Sequence, residues 1–385
     1  MLVVSANWAI GDGSLVRATA GWHGLFAPAV QRAAIRAGFR ADGTYRPVTG
    51  VDIVLAGDTF DWVASAAWCD RTRPWHGGVA ARAILGRVAA QAVRRGRRLL
   101  APLVRFGRRG LVVPAADARG RPDRGTVSVP VRVTLLSGDR DRALAEGPWA
   151  IDHIPVALGA AWSDGSVMLR HGHESDPACH EASERRGAGG GRPPTLAESV
   201  TVDLVAAFAV RECGADRAAL ARRLVRARPV MLPAALAAWH AEADPPLRER
   251  AAVHDAWRRA VDRWHHAARR EVPSCEVEFD ALASLATWLA DAGAVTDEPR
   301  PMPAAIERIA GSIRPAGGWR DGVFLAHDAH ADDGEAEATP PVFASDAERA
   351  GGWRRIVGVE RRKAVVTVAS APWQRHRGVP VVDAA

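Results

Sequence analysis

The sequence predicts an α/β protein, and three observations support this prediction. Short apolar runs such as 51–56 stop abruptly at a glycine followed by an aspartate, which is typical of a buried parallel strand. A stretch with apolar residues at helical spacing separates the first of these runs from the second. Beyond residue 196, helical spacing continues for almost 100 residues without a strand-like run, so we also expect a helical part outside the sheet.

The first 60 residues predict a strand, a helix and a second strand. Residues 2–6 are predicted to form the first strand, and the following Gly11-Asp12-Gly13 is predicted to form a turn. Apolar residues recur at helical spacing from Leu25 to Ala37, and Gly38 follows where a helix commonly ends. The second strand is the run 51–56. This order is a βαβ unit, in which the two strands are parallel.

The next segment predicts a helix and then further strands. One apolar stripe predicts a helix over about 79–94, and residues 94–109 interleave arginines with apolar residues as in a helix with one apolar face. The arginines suit either a solvated helix face or an anion-binding surface, and the sequence leaves both open. Residues 115–125 are rich in turn formers, and 127–136 predict strands that lead to Gly138.

The second half of the chain divides at a glycine-rich segment. We assign 1–183 to the first part of an α/β core and 184–195, which contains ERRGAGGGRPP, to a flexible loop. Residues 196–295 are predicted to be an α-helical insertion, and 296–385 the C-terminal part of the core. That last part contains a strand-like run near 322–326 and a predicted terminal hairpin.

Residues able to bind a metal ion follow several of these strands. Asp58 follows the second strand, Asp139 follows the strand that ends near 136, and His171 follows the run 167–169. Ligands of open α/β sheets bind beyond the carboxyl ends of the strands, so we expect these side chains to converge. Each residue also has a purely structural interpretation: Asp58 could cap a helix, and the histidines could lie in ordinary surface loops.

The same motifs resemble those of the calcineurin-like metallophosphoesterases. GDTFD at 57–61 matches the second family motif, GDRD at 138–141 matches the third in its glycine and last aspartate, and RHGHESD at 170–176 is similar to the fourth. The first motif differs, because Asn7 and Ala9 stand where the family has aspartate and histidine. The resemblance covers about the first half of the chain. It implies a four-layer α/β/β/α sandwich with the helical segment inserted.

The resemblance also implies a metal site and roles for its residues. Asp58 is the expected bridging ligand, and the full ligand set would be drawn from Asn7, Asp58, Asp139, His171, His327 and His330. The metal would be Mn, Zn, Fe or Mg, with one or two ions bound. Asp58, His171 and Arg140 are the candidate catalytic residues. Whether His173, His327 or His330 is a ligand stays open.

Arg140 stands where the family has a histidine that serves as general acid. An arginine cannot release a proton near neutral pH, so two other roles remain. It could hold a phosphate oxygen, or it could pair with Asp61 or Asp141 as a structural strut.

The function expected from these residues is metal-dependent hydrolysis of phosphoesters, with weak cation binding and slow turnover. Loss of the acid and histidine of the first motif removes ligands for one ion, so the site would be remodelled. The alternative is a catalytically inactive relative that binds an anionic ligand or a protein partner in the same cleft.

Composition limits the partners and the compartment. The net charge of +7 favours anionic partners such as phosphate esters, while nucleic acid is not the expected partner because no recognised binding module is present. Lys363 is the only lysine among 51 basic residues, which indicates a coding bias. Four scattered cysteines without a CxxC pair indicate a reducing, cytoplasmic location. No apolar stretch is long enough to predict a membrane span.

Overall fold

The structure is a computed structural model, and it describes most of the first 291 residues. The described ranges are 1–6, 8–15, 23–146, 155–164, 168–173, 179, 191–213, 218–227, 229–243, 245–271 and 279–291. Nearer the C-terminus it describes the backbone of the strands at 319–320, 323–325, 342–347, 353–360 and 365–372.

From the N-terminus to the C-terminus, the chain forms eight α-helices, one π-helical segment and fifteen strands among the residues that the structure describes. They are β1 (Leu2–Ser5), β2 (Ile10–Gly11), α1 (His23–Ala37), β3 (Val51–Ala56), β4 (Phe60–Asp61), α2 (Val79–Arg109), β5 (Leu111–Ala116), β6 (Pro122–Val129), β7 (Val131–Leu136), β8 (Ala157–Gly159), β9 (Ala161–Ser163), β10 (Met168–Arg170), α3 (Leu196–Ser199), a π-helical segment (Val200–Ala206), α4 (Ala207–Glu212), α5 (Ala218–Arg226), α6 (Leu232–Ala243), α7 (Leu247–Glu271), α8 (Phe279–Asp291), β11 (Trp319–Arg320), β12 (Val323–Leu325), β13 (Val342–Ala347), β14 (Trp353–Glu360) and β15 (Val365–Pro372).

A seven-stranded sheet forms the centre of the protein, in the order β15-β14-β13-β1-β3-β7-β8. β1, β3, β7 and β8 are parallel, whereas β13, β14 and β15 pair antiparallel. Val3 lies opposite Ile53, which in turn lies opposite Val133. β1, β3 and β7 are therefore parallel neighbours with their carboxyl ends at one edge, and the predicted parallel pairing of the first two strands is confirmed. The predicted terminal hairpin is β14 and β15.

The two faces of the central sheet pack against different partners. Val3, Ile53 and Leu135 belong to a core shared with α1 and α2. Val4, Val54 and Leu136, which alternate with them, pack against Leu169 and Trp162 of a second sheet, ordered β11-β12-β10-β9. This alternation places a helical layer on one face and a second sheet on the other. The α/β class is confirmed, and the complete four-layer sandwich stays a prediction.

Two local elements differ from what the sequence predicts. Residues 79–109 form one helix, α2, which continues through Pro102 instead of breaking near residue 94. Residues 115–125 include the end of β5 and the start of β6, which pair as a hairpin. β6 is exposed at every residue except its last, so its composition is as polar as that of a turn region.

The described residues between 196 and 291 form helices with a core of their own. Thr195 and Glu198 start this part with a reciprocal capping box, in which each side chain accepts from the backbone N–H of the other residue. α3, the π-helical segment and α4 follow without interruption. Trp257 and Trp264 are fully buried here, as their positions on apolar stripes predict. The limits proposed for this insertion stay a prediction.

Two further properties concern the described residues as a group. None of their helices combines the length and the apolar character needed to cross a membrane. Cys69, Cys179 and Cys213 form no disulfide bond with one another.

His240 on α6 is expected to make the helical part sensitive to acid. Both ring nitrogens of His240 and Nε2 of His254 on α7 are buried without a hydrogen-bond partner in the described chain. Burial, Arg250 and His254 together lower the pKa of His240 below its ordinary value. The unfolded chain therefore takes up a proton first as pH falls through about 6.5, and stability is lost below that pH. His240→Leu should raise stability by about 1 kcal/mol and reduce the loss between pH 7.5 and 5.5.

Thermal unfolding followed by tryptophan fluorescence measures this effect. The exposed His266, on α7, provides a matched control, and His266→Leu should leave the pH dependence unchanged. An equal loss of stability on acidification in wild type and His240→Leu would show that His240 is not the cause of the acid sensitivity.

Candidate metal centre

The candidate metal centre lies at the carboxyl edge of the parallel strands. Asp58 follows β3 after Gly57, Asp139 follows β7 after Gly138, and His171 directly follows β10 of the second sheet. The site is therefore assembled from both sheets. The predicted convergence of Asp58, Asp139 and His171 is what the structure shows, and ligand atoms of all three lie within 4.8 Å of one another.

His171 is oriented by a backbone carbonyl. Its Nδ1 lies 2.9 Å from the carbonyl oxygen of Ala56, so Nδ1 carries a hydrogen and donates it. Nε2 then faces the carboxylates, at 3.0 Å from Oδ1 of Asp139 and 3.5 Å from Oδ2 of Asp58. A metal-ligating histidine is held in this way in many proteins, with one nitrogen fixed by a backbone acceptor and the other directed at the ion.

The two carboxylates give this site an excess of negative charge, which suits a cation. Burial disfavours protonation of His171, but the carboxylates of Asp58 and Asp139 outweigh it and hold its pKa well above the ordinary value. The two carboxylates therefore favour a positive species at Nε2, either a proton or a metal ion. Two carboxylates and one imidazole suit Mn, Zn, Fe or Mg, and the donor set does not select among them.

The backbone around Asp58 is held in an uncommon conformation. Gly57 has φ +96° and Asp58 has φ +49°, in the left-handed region that few side chains other than Asn and Asp adopt readily. The N–H of Ala9 donates to the carbonyl of Asp58 at 2.8 Å, and the N–H of Arg140 donates to its Oδ1 at 3.0 Å. Ala9 thus supports the site through its backbone although its side chain offers no ligand.

Two glycines allow the ligands to approach this closely. A Cβ on Gly57 would lie 2.2 Å from Nδ1 of His171, and a Cβ on Gly138 would lie 2.0 Å from Oδ1 of Asp58. These distances are far below van der Waals contact. The glycines of the two GD motifs are therefore required by the packing of the metal centre.

Gly138→Ala is expected to displace the Asp58 carboxylate. The new methyl group would overlap Oδ1 of Asp58, so we expect a loss of about 1 to 3 kcal/mol in unfolding free energy. Cation affinity should fall at the same time. Gly50→Ala is the matched control, because the nearest atom to its Cβ would be the carbonyl oxygen of Pro130 at 3.9 Å. Urea unfolding and calorimetric titration with Mn²⁺ measure the two effects, and unchanged cation affinity in Gly138→Ala would contradict the geometry.

Asp141 holds the two ligand-bearing loops together, a role that the sequence does not reveal. Its Oδ1 accepts from the N–H of Gly138 at 2.7 Å, and its Oδ2 accepts from the N–H of Phe60 at 3.0 Å. Burial, together with the charge of Asp58, raises the pKa of Asp141 to about 7 despite these hydrogen bonds. The carboxylate thus links the loop after β7 to the loop after β3.

Arg140 is engaged in an ion pair. Nη1 of Arg140 donates to Oδ2 of Asp61 at 2.9 Å and to the carbonyl oxygen of Val225 on α5 at 3.3 Å. Asp61 is 2% exposed and Arg140 20% exposed. Burial disfavours the charged guanidinium, but Asp61, Asp139 and Asp58 outweigh it and raise the pKa of Arg140. Of the two roles open to Arg140, the structure favours the strut, with Asp61 rather than Asp141 as its partner.

A second buried ion pair joins the helical part to the same loop. Arg142, which follows Asp141, lies with Nη1 3.4 Å from Oε2 of Glu198, and Arg192 pairs with the same carboxylate. Burial alone would raise the pKa of Glu198, but the two arginines outweigh it and lower that pKa. The sequence pattern of the capping box indicates a helix start just before Glu198, but it does not indicate that Arg142 and Arg192 bind the same carboxylate.

Of the other residues considered as ligands, the structure describes only His173. Asn7, His327 and His330 lie outside the described residues. β12 ends at Leu325, which is paired with Arg170, the residue before His171. His173 is buried, with its ring centroid 5.3 Å from that of His171.

Comparisons of the chain with models of known families, with curated proteins and with solved structures find no match.

Proposed function

We propose that this protein binds a divalent cation through Asp58, Asp139 and His171 and uses it to hydrolyse phosphoester bonds, as a remodelled member of the calcineurin-like metallophosphoesterases. The observation that carries the proposal is the convergence of the buried Asp58 and His171 with the half-buried Asp139, with Nδ1 of His171 fixed by the carbonyl of Ala56. The match of the GDTFD and GDRD motifs to this geometry supports the family assignment.

The residues at the site define how the reaction would proceed. A divalent cation in such a site supplies Lewis acidity, which polarises the phosphoryl oxygen and makes an attacking water more acidic. Asp58 and Asp139 provide the negative charge that retains the cation, and the backbone N–H of Arg140 keeps Asp58 in place. The substrate would be a phosphate ester, in keeping with the net charge of +7.

Slow turnover is part of the proposal. Arg140 is ion-paired with Asp61 and cannot protonate a leaving group near neutral pH. General acid catalysis typically contributes about 10²- to 10⁴-fold, so its loss favours substrates whose leaving group needs no proton. Aryl phosphates have such leaving groups, whereas alkyl phosphates do not.

The test is an assay of purified protein loaded with Mn²⁺, Zn²⁺ or Mg²⁺ against an activated aryl phosphate monoester and diester. We expect metal-dependent turnover below the usual range of about 1 to 10³ per second. Chelation should abolish this turnover until metal is added back, whereas Asp58→Asn should abolish it even with metal present. Turnover that persists in Asp58→Asn would contradict the proposal.

The second candidate function is that of a non-catalytic protein that binds an anionic ligand in the same cleft. The ion pair of Arg140 with Asp61 favours it, because a residue at the position of the expected general acid is committed to a structural contact. Cation binding without turnover of either ester would select this second function.

A further inference from the structure

Helix α2 carries a continuous positive surface. It contains nine arginines and no acidic residue, and the whole segment 71–116 contains eleven arginines and no aspartate or glutamate. Seven of the nine share the side that faces away from the core, and all seven are exposed. They are Arg87, Arg94, Arg97, Arg98, Arg105, Arg108 and Arg109. We call this set the arginine face.

A coding bias does not account for the arginine face. Such a bias explains why arginine replaces lysine throughout the chain, but it does not explain the absence of acids from one segment. Helix α7 provides the comparison within the same protein, because its seven arginines are accompanied by four acidic residues. The charge of α2 is therefore a property of this helix.

Six of the seven arginines of this face carry a positive charge that no acidic side chain of the described chain neutralises. Arg87, Arg94, Arg97, Arg98, Arg105 and Arg109 form no ion pair there. Elsewhere in the described chain several arginines do pair with acids, for example Arg73 with Asp203 and Arg223 with Glu242. The sequence alone left a solvated helix face and an anion-binding surface open, and the clustering of these six arginines on one side of the helix favours the second.

We propose that the arginine face binds the phosphate backbone of a double-helical nucleic acid. From Arg87 to Arg109 the face extends over about 33 Å, at about 1.5 Å per helical residue. A duplex carries one negative charge for about every 1.7 Å of its axis, counted over both strands, so a positive face of this length lies close to several phosphates where it contacts the duplex. Guanidinium groups also bind phosphate oxygens through two parallel hydrogen bonds.

The residues between the arginines exclude two other modes of binding by this face. Ala83, Ala90 and Ala101 fill it, and it presents no aromatic side chain on which an unpaired base could stack. It also presents no Trp, Phe or Leu that could enter a lipid bilayer. Contacts to phosphates carry no sequence information, so binding should be independent of base sequence and strongly dependent on salt. This inference does not depend on the proposed function.

The test uses the full-length protein and fluorescence anisotropy of labelled 20-base-pair duplexes, one of DNA and one of RNA, which distinguish the two sources of the same backbone. With four or more phosphate contacts, affinity should fall by about 100-fold between 50 and 200 mM NaCl. The combined variant Arg94→Gln, Arg98→Gln, Arg105→Gln, Arg109→Gln should bind at least about 10-fold more weakly at 50 mM. Its salt slope should also fall by about 3 to 4. Glutamine keeps the helix propensity of arginine.

A matched control removes the same charge from another helix. Arg248→Gln, Arg258→Gln, Arg259→Gln, Arg270→Gln changes four exposed residues of α7 and should leave affinity within about 3-fold. If the four-residue α2 variant fails to fold by circular dichroism, the pairs Arg94→Gln, Arg98→Gln and Arg105→Gln, Arg109→Gln should each remove about half of the salt slope.

Three results would overturn the proposal. The first is no duplex binding at 50 mM NaCl. The second is an equal loss in the α2 and α7 variants, which would reduce the effect to net charge. The third is tighter binding of phosphatidylserine vesicles or of polyglutamate than of either duplex, lost in the α2 variant, which would assign the face to a lipid surface or an acidic protein.

Discussion

Arg140→Ala should lower the free energy of unfolding by about 3 to 5 kcal/mol, the usual cost of removing one partner of a buried ion pair. Asp61 is 2% exposed and would lose the cation that offsets its charge. Burial already raises the pKa of Asp61, while Arg140 lowers it. The Asp61 carboxyl of the variant should therefore have a higher pKa than that of wild type. Urea unfolding at pH 7 measures the loss.

A double-mutant cycle with Asp61→Asn isolates the pair itself. The double variant should be more stable than Arg140→Ala, because no unpaired charge is left in the interior. Arg132→Ala is the control: Arg132 pairs with Asp52 at 2.7 Å but is 83% exposed, so its loss should cost at most about 1 kcal/mol. If Arg140→Ala instead keeps its stability and binds inorganic phosphate more weakly by about 1.5 to 3 kcal/mol, Arg140 is a phosphate clamp and not a strut.

Asp58→Asn should weaken cation binding by at least about 100-fold. Changes to residues that only support a ligand already cost about 10- to 100-fold, and this change removes the charge of a ligand itself. Asparagine tolerates the φ of +49° and its carbonyl oxygen can still accept from the N–H of Arg140, so the fold should be retained. Calorimetric titration with Mn²⁺ gives the affinity.

Asp52→Asn provides the comparison for this variant. Asp52 lies at the start of the same strand, β3, and pairs with Arg132, so it changes the same charge at the opposite end of the strand. It should leave Mn²⁺ affinity unchanged. Equal affinity of Asp58→Asn and wild type would exclude Asp58 as a ligand.

The parallel strands and the three candidate ligands could be predicted because their signals are local in the sequence. β3 and β7 are runs that lead into a glycine, and each ligand stands one to three residues beyond a strand end. The parallel pairing of β1, β3 and β7 then places Asp58 and Asp139 at the same edge. Local pattern and sheet geometry together were sufficient for this part of the site.

The supporting contacts could not be predicted, because they join residues far apart in the sequence. Asp141 and Phe60 are 81 residues apart, and Arg140 and Asp61 are 79 residues apart. No spacing rule specifies which of several nearby acids an arginine will select. The choice of Asp61 over Asp141 follows from Asp141 being occupied by two backbone N–H groups.

The role of the arginines of α2 could not be predicted from the sequence for the same reason. The sequence predicts a helix with one apolar face, but the fate of its charged face depends on which acids approach it from other elements. In the described chain none pairs with the six arginines Arg87, Arg94, Arg97, Arg98, Arg105 and Arg109. The sequence alone does not show whether these arginines are paired, whereas the positions of the acidic residues in the fold do.

The central claim is that Asp58, Asp139 and His171 hold one cation between them. The most direct measurement is anomalous X-ray diffraction from crystals of the protein grown with Mn²⁺. We predict an anomalous peak within coordination distance of both carboxylates and of Nε2 of His171, with Nδ1 of His171 still donating to Ala56. A peak elsewhere, or no peak at this position at millimolar Mn²⁺, would contradict the account.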